Sequence, residues 1–192
     1  HALDRRQRQM CIRDRYDCKI SKKEMLIYFA SKSGLDIEGL GRETVETLIA
    51  NKLVENFEDF YSLTYEELIS LPQWKEKKTQ NLLEAIEKSK NSEQEKLLPA
   101  LGIRYVGKQT SKLLVNTFGS IRNIFDASSD EINKIHGISE SVSSSLIEWY
   151  SENTNKLLIT NLEEIGFSIS KKIQKTTGKF SGKTLSLIHI SE

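Results

Sequence analysis

The chain is poor in the residues that break or crosslink a fold. Among 192 residues there are two cysteines, two prolines and ten glycines, and aromatic residues make up only 8%. Two cysteines, Cys11 and Cys18, cannot build a disulfide framework, so a reducing, cytoplasmic setting is expected. No apolar run approaches the roughly 18–20 residues that a membrane span requires, and no membrane partner is expected. The N-terminus is charged and lacks the apolar stretch of a secretory signal. Charge of one sign is not in excess: 28 Lys+Arg stand against 27 Asp+Glu, for a net charge of +1. That excludes a polybasic tail and makes the placement of cations, rather than their number, the informative quantity.

What is present is a fourfold repeat. Ile37-Glu38-Gly39-Leu40-Gly41, Leu71-Pro72-Gln73-Trp74-Lys75, Ile103-Arg104-Tyr105-Val106-Gly107 and Ile135-His136-Gly137-Ile138-Ser139 start 34, 32 and 32 residues apart. Eleven residues after each start stands a leucine: Leu48, Leu82, Leu114 and Leu146. An apolar residue follows each one: Ile49, Leu83, Val115, Ile147. Eight residues after each start comes Val45, Thr79, Ser111 or Ser143, small enough for a close helix crossing. The second and fourth units share more. Phe60, Tyr61, Thr64, Glu67 and Leu68 recur 64 residues later as Ile124, Phe125, Ser128, Glu131 and Ile132. Thr64-x-x-Glu67 and Ser128-x-x-Glu131 are capping boxes that start short helices. Each unit thus reads as a short helix, a tight turn and a second helix with the Leu pair on its buried face. The fold expected is all-α through residue 167, with four hairpins in two pairs around one core and the four leucines buried.

The turn points to an anion. A helix start leaves about four backbone N–H groups unpaired and carries roughly half a positive charge. Glycines there let the backbone approach a phosphate closely. Gly39, Gly41, Gly107 and Gly137, with Ser139, are placed for this, and Arg42, Lys75, Lys77, Lys78, Arg104 and Lys108 add charge beside them. Such contacts bind without reading bases. The second unit departs from the pattern, with Gln73 and Lys75 in the glycine places and Pro72 and Trp74 stiffening the turn; Trp74 is expected in the core. His136 is expected on the hairpin surface.

Four hairpins in this order resemble the helix–hairpin–helix domain of bacterial NAD-dependent DNA ligases. The resemblance rests on Leu35-Asp36-Ile37-Glu38-Gly39-Leu40-Gly41, on Ala100-Leu101-Gly102-Ile103-Arg104-Tyr105-Val106-Gly107, and on the helix from Asn81 to Lys90. It extends over Tyr16–Leu185. It implies that Cys18 is the last ligand of a zinc finger and that Phe180–Leu185 begins a BRCT domain. The domain layout expected is a zinc-finger remnant and connecting helix at 16–34, the helix–hairpin–helix domain at 35–167, a linker at 168–178 and a truncated BRCT start at 179–192. Residues 1–15 and the tail from 186 resemble translated sequencing-adapter sequence and are set aside. The resemblance further implies a monomeric clamp on nicked double-stranded DNA. In the parent enzyme, a lysine takes AMP from NAD, AMP passes to the 5′-phosphate of a nick, and the 3′-hydroxyl displaces it with magnesium's help. Zinc would serve the finger. Neither catalytic residues nor bound cofactors are expected in this chain, which should be inactive alone. Two other readings stand beside it: a non-catalytic repair or junction-binding protein, and a protein–protein scaffold of helical repeats.

Overall fold

The computed structural model describes residues 19–72 and 74–170. Cys11, Cys18, Gln73, the BRCT-like start and both adapter-like ends lie outside the described residues. The described residues form ten α-helices and no strand. In chain order these are α1 (Lys19–Ala30), α2 (Arg42–Ala50), α3 (Tyr65–Ile69), α4 (Glu76–Ser89) and α5 (Gln94–Ala100). Then come α6 (Lys108–Phe118), α7 (Ile121–Asp126), α8 (Ser129–Asn133), α9 (Glu140–Ser151) and α10 (Asn153–Ile165). A single 3-10 turn, Glu58–Tyr61, precedes α3.

The four hairpins join α1 to α2, α3 to α4, α5 to α6 and α8 to α9. Each pair of helices packs together, and a small residue at the crossing is fully buried in every case: Val45, Thr79, Ser111 and Ser143. The leucines Leu48, Leu82, Leu114 and Leu146 are all buried, as the repeat requires. Of the apolar residues that follow them, Val115 is buried, Ile49 and Leu83 are partly covered, and Ile147 is exposed. At the third crossing a backbone defect is repaired. Pro99 has no N–H to donate to the carbonyl of Glu95, four residues earlier. The Ser111 hydroxyl from α6 donates to that carbonyl instead, at 2.9 Å.

Both capping boxes form. Thr64 and Ser128 accept from the backbone N–H of Glu67 and Glu131, and the two glutamates accept in return from the Thr64 and Ser128 amides at 2.9 Å each. These bonds pull both carboxyls below the ordinary range, the backbone bond contributing most.

One core runs through both halves of the molecule. The first half ends with α4 and the second begins with α5, and they meet on two sides. α1 packs on α5, and α10 returns to lie against the 3-10 turn. There Asn161 Nδ2 donates to Glu58 Oε1 at 2.9 Å, and the Tyr61 ring meets the Phe167 ring edge-on at 5.2 Å. Arg122 bridges α7 to α10 through Glu163 at 2.7 Å and also donates to the Tyr150 hydroxyl at 3.2 Å.

The edges add detail that the repeat does not carry. The first helix of the first unit is not short: α1 has 12 residues, because Leu26, Ile27, Phe29 and Ala30 all enter the core. The core therefore takes in α1, which precedes residue 35. At the other end Ile169, within the expected linker, is fully buried, and its carbonyl accepts from the Arg122 amide at 3.3 Å. The polar residues around it hid a single apolar anchor.

Candidate nucleic-acid interface

All four hairpins make one turn. The amide of the fourth residue donates to the carbonyl of the first: Leu40 to Ile37, Trp74 to Leu71, Val106 to Ile103 and Ile138 to Ile135, at 3.1–3.2 Å. The third residue is left-handed at Gly39 (φ 87°), Tyr105 (φ 64°) and Gly137 (φ 91°), which is the signature of a type II turn. The second hairpin keeps the turn bond although it has glycine at none of the five places.

The fifth residue is the N-cap of the second helix: Gly41, Lys75, Gly107 or Ser139, each in extended backbone. Its carbonyl accepts the first helical bond from the small crossing residue, Val45, Thr79, Ser111 or Ser143, at 2.8–3.4 Å. None of the four N-caps is satisfied by a side chain, not even Ser139, whose hydroxyl could do so. Away from the hairpins, α3, α7 and α8 are capped by Thr64, Ser120 and Ser128, while α5 and α10 likewise have no side-chain cap. The helix starts at the hairpins therefore keep their first amides available to an outside acceptor, and the helix dipole favours an anion there.

The glycines divide into two kinds. A Cβ added to Gly39 would stand 3.4 Å from Leu82 Cδ1, and one added to Gly137 would stand 3.5 Å from Leu113 Cδ1. The first hairpin thus rests on α4 and the fourth on α6. These glycines serve the turn. Gly41 and Gly107 have nothing within 4 Å of an added Cβ, and neither is left-handed. They face open space at the helix starts.

The cations fall into three settings. Lys75, Lys77 and Lys78 line an open groove of about 1400 Å³ together with Gly39 of the first hairpin, so the first two units share one surface. Lys78 Nζ sits 4.2 Å over the ring of Trp74, itself buried as expected. Arg104 and Lys108 are exposed on the third unit, and neither has a carboxylate in salt-bridge range among the described residues. Arg42 differs. Its guanidinium makes two bonds to Glu24 of α1, at 2.7 and 2.8 Å, and approaches Glu46 at 3.8 Å. The paired hydrogen bond lowers the Glu24 pKa and raises that of Arg42. Sequence alone placed Arg42 beside the turn as a source of positive charge. Glu24 lies 18 residues away, too far for any local pattern to reveal. The helix that Ser139 begins, α9, contains no Lys or Arg, and Ser139 and His136 are both exposed. Tyr105 is the residue that sequence reasoning passed over. The aligned repeat does carry a signal for it, tyrosine standing where the first and fourth hairpins have glycine.

Comparison with known proteins divides the chain at the same place. Residues 35–88 match a family model described as a SAM-like helix-hairpin-helix tandem, and residues 96–159 match one described as a helix-hairpin-helix motif. The chain is 38% identical over 167 residues to the DNA ligase of Geobacter metallireducens, covering 87% of this chain and 25% of that protein. The chain is homologous to one segment of the DNA ligases. Similar figures hold for the DNA ligases of Geobacter sulfurreducens (36% over 167 residues, 87% of this chain and 25% of that protein) and Lysinibacillus sphaericus (35% over 175 residues, 88% and 26%). The chain spans about a quarter of the length of these ligases. Its first two hairpin turns fall in one matched region and its last two in the other, and the two matches part between residues 88 and 96, where α4 gives way to α5.

Proposed function

We propose that this chain is the duplex-binding clamp of a bacterial NAD-dependent DNA ligase, holding double-stranded, nicked DNA through phosphates without base specificity. The observation that carries the reading is the repeated helix start: four N-caps without a side-chain cap, each following the same turn. Two of them, Gly41 and Gly107, have open space in front. Phosphate oxygens are the acceptors such groups suit best. Lys75, Lys77, Lys78, Arg104 and Lys108 would neutralise neighbouring phosphates, and Arg42 would join them by exchanging Glu24 for the DNA. The partner lacks sequence information at these contacts, so binding is indifferent to base sequence.

The parent's chemistry, nick sealing through an enzyme–AMP intermediate with NAD, Mg²⁺ and Zn²⁺, belongs to the same proposal. The described residues do not fit a metal centre, since no three of their His, Cys, Asp or Glu side chains gather as a ligand group. Cys18, the proposed zinc ligand, lies outside them. The role proposed for this chain is to position the duplex as a cytoplasmic monomeric module, inactive by itself in nick sealing.

The test is fluorescence anisotropy with two duplexes of unrelated sequence across a salt series. Both should bind alike, with log K falling by about 0.9 per phosphate neutralised for each unit of log salt. Lys108→Ala should weaken both equally and reduce that slope by about one unit. An unchanged slope, or binding with no salt dependence, refutes the clamp and favours a protein–protein scaffold.

A further inference from the structure

Tyr105 occupies the one place in its hairpin that the fold least favours for a side chain. Gly39 and Gly137 hold the same position in the first and fourth hairpins, at φ 87° and 91°. Tyr105 adopts that left-handed conformation at φ 64°. For an L-residue with a bulky side chain, this brings Cβ against the backbone. The fold gives nothing back. Tyr105 is 61% exposed, the most exposed of the large hydrophobic residues described. Among the described residues its one ring partner is the adjacent Arg104, whose guanidinium lies 5.6 Å from the ring centroid. Neither core packing nor a hydrogen bond of the phenol explains an aromatic residue here.

Position does. Tyr105 stands two residues before Gly107, the N-cap of α6 that opens onto empty space, with Arg104 and Lys108 on either side. A phosphate seated on that helix start carries its own deoxyribose beside it, on whichever strand is held. The C–H edge of that sugar is the apolar surface nearest the phosphate. An aromatic ring with a polar tip suits such a half-wet boundary. The stacked guanidinium would hold the ring in place and still reach the backbone charge.

We infer that Tyr105 is a DNA-positioning residue, its ring packed on the deoxyribose next to the phosphate held by the third hairpin. This rests on the clamp reading and adds a salt-independent, sequence-independent contact to it. The third hairpin then fixes where the strand lies, where a bare glycine turn would only attract it.

The whole chain carrying Tyr105→Gly or Tyr105→Phe tests this by thermal melting and by duplex anisotropy over a salt series. Tyr105→Gly should melt at a higher temperature than the parent chain, because glycine relieves the left-handed backbone. It should nevertheless bind the duplex about three- to tenfold more weakly, with the salt slope unchanged. Tyr105→Phe should bind like the parent. Undiminished binding by Tyr105→Gly overturns the inference and leaves the clamp standing. A lower melting temperature overturns it too, by making the ring a structural member. A reduced slope would assign the effect to Arg104, and a Phe variant as weak as Gly would assign it to the hydroxyl. Absence of salt-dependent binding by the parent chain removes both readings.

Discussion

The two glycines of the first hairpin should respond in opposite ways to the same substitution. Gly41 sits at φ −68° with nothing within 4 Å of an added Cβ. Alanine is a poorer N-cap than glycine by about 0.5–1 kcal/mol. It also narrows the unfolded ensemble, which returns about 0.4–1 kcal/mol. Gly41→Ala should therefore leave urea stability within about 0.5 kcal/mol of the parent, with the same m value. Its methyl group, however, would add bulk at the helix start where the phosphate is proposed to sit. A hydrogen bond from a backbone amide to a charged acceptor contributes about 1.5–3 kcal/mol. Losing most of one such bond should weaken duplex binding roughly tenfold. Gly107→Ala should behave alike at α6. Gly39→Ala, only two residues away, meets Leu82 at ordinary contact distance and so makes no clash. Its left-handed backbone costs an L-residue about 1–2 kcal/mol. After the unfolded-state gain, a net loss of about 1 kcal/mol of stability is expected. Equilibrium urea unfolding followed by anisotropy on the same samples separates the two profiles. If Gly41→Ala and Gly107→Ala are stable and bind as tightly as the parent, the helix starts are not where the DNA sits.

Truncating Leu48, Leu82, Leu114 or Leu146 to alanine should cost about 2–5 kcal/mol in urea unfolding; a loss under about 1 kcal/mol at two of them would contradict their burial. Thr79 Oγ1 is buried without a hydrogen-bond partner, while the same crossing in the first unit uses Val45. Thr79→Val should accordingly raise stability by about 1 kcal/mol, and a lower melting temperature would show that the hydroxyl is satisfied after all. Acid should destabilise the fold in a defined window. Glu24, Glu67, Glu131 and Glu163 are all held below the ordinary 4.5, Glu24 chiefly by its bond to Arg42 and Glu163 chiefly by its bond to Ser170. Their charged forms are favoured in the folded state, so this stabilisation is complete above pH 4.5 and is lost as pH falls through the lower folded values. Melting temperatures measured between pH 7 and pH 3 should stay level and then fall below about 4.5, and no extra fall there would refute the assignment.

What the sequence determined by itself was everything carried by short-range regularity. The period of 32 to 34 residues placed four turns, and all four close with the same bond between first and fourth residues. Thr64-x-x-Glu67 and Ser128-x-x-Glu131 announced their capping boxes because both partners lie within one helical turn. The buried leucines followed from helical spacing, and Trp74 from its place in a stiff turn. The tertiary structure decided what depends on a neighbour distant in the chain. It gave Arg42 to Glu24, across 18 residues, where the repeat placed it only beside its turn. It set Gly39 against Leu82 and Gly137 against Leu113 while leaving Gly41 and Gly107 open, a division that glycine's identity cannot express. It buried Val115 and exposed Ile147, although both hold the same place in the repeat. It drew α1 and Ile169 into the core, because an apolar face is satisfied only by whatever packs on it. Backbone turns and caps are local and repeat with the sequence; pairing, burial and open space arise between segments, and only the packed chain brings those segments together.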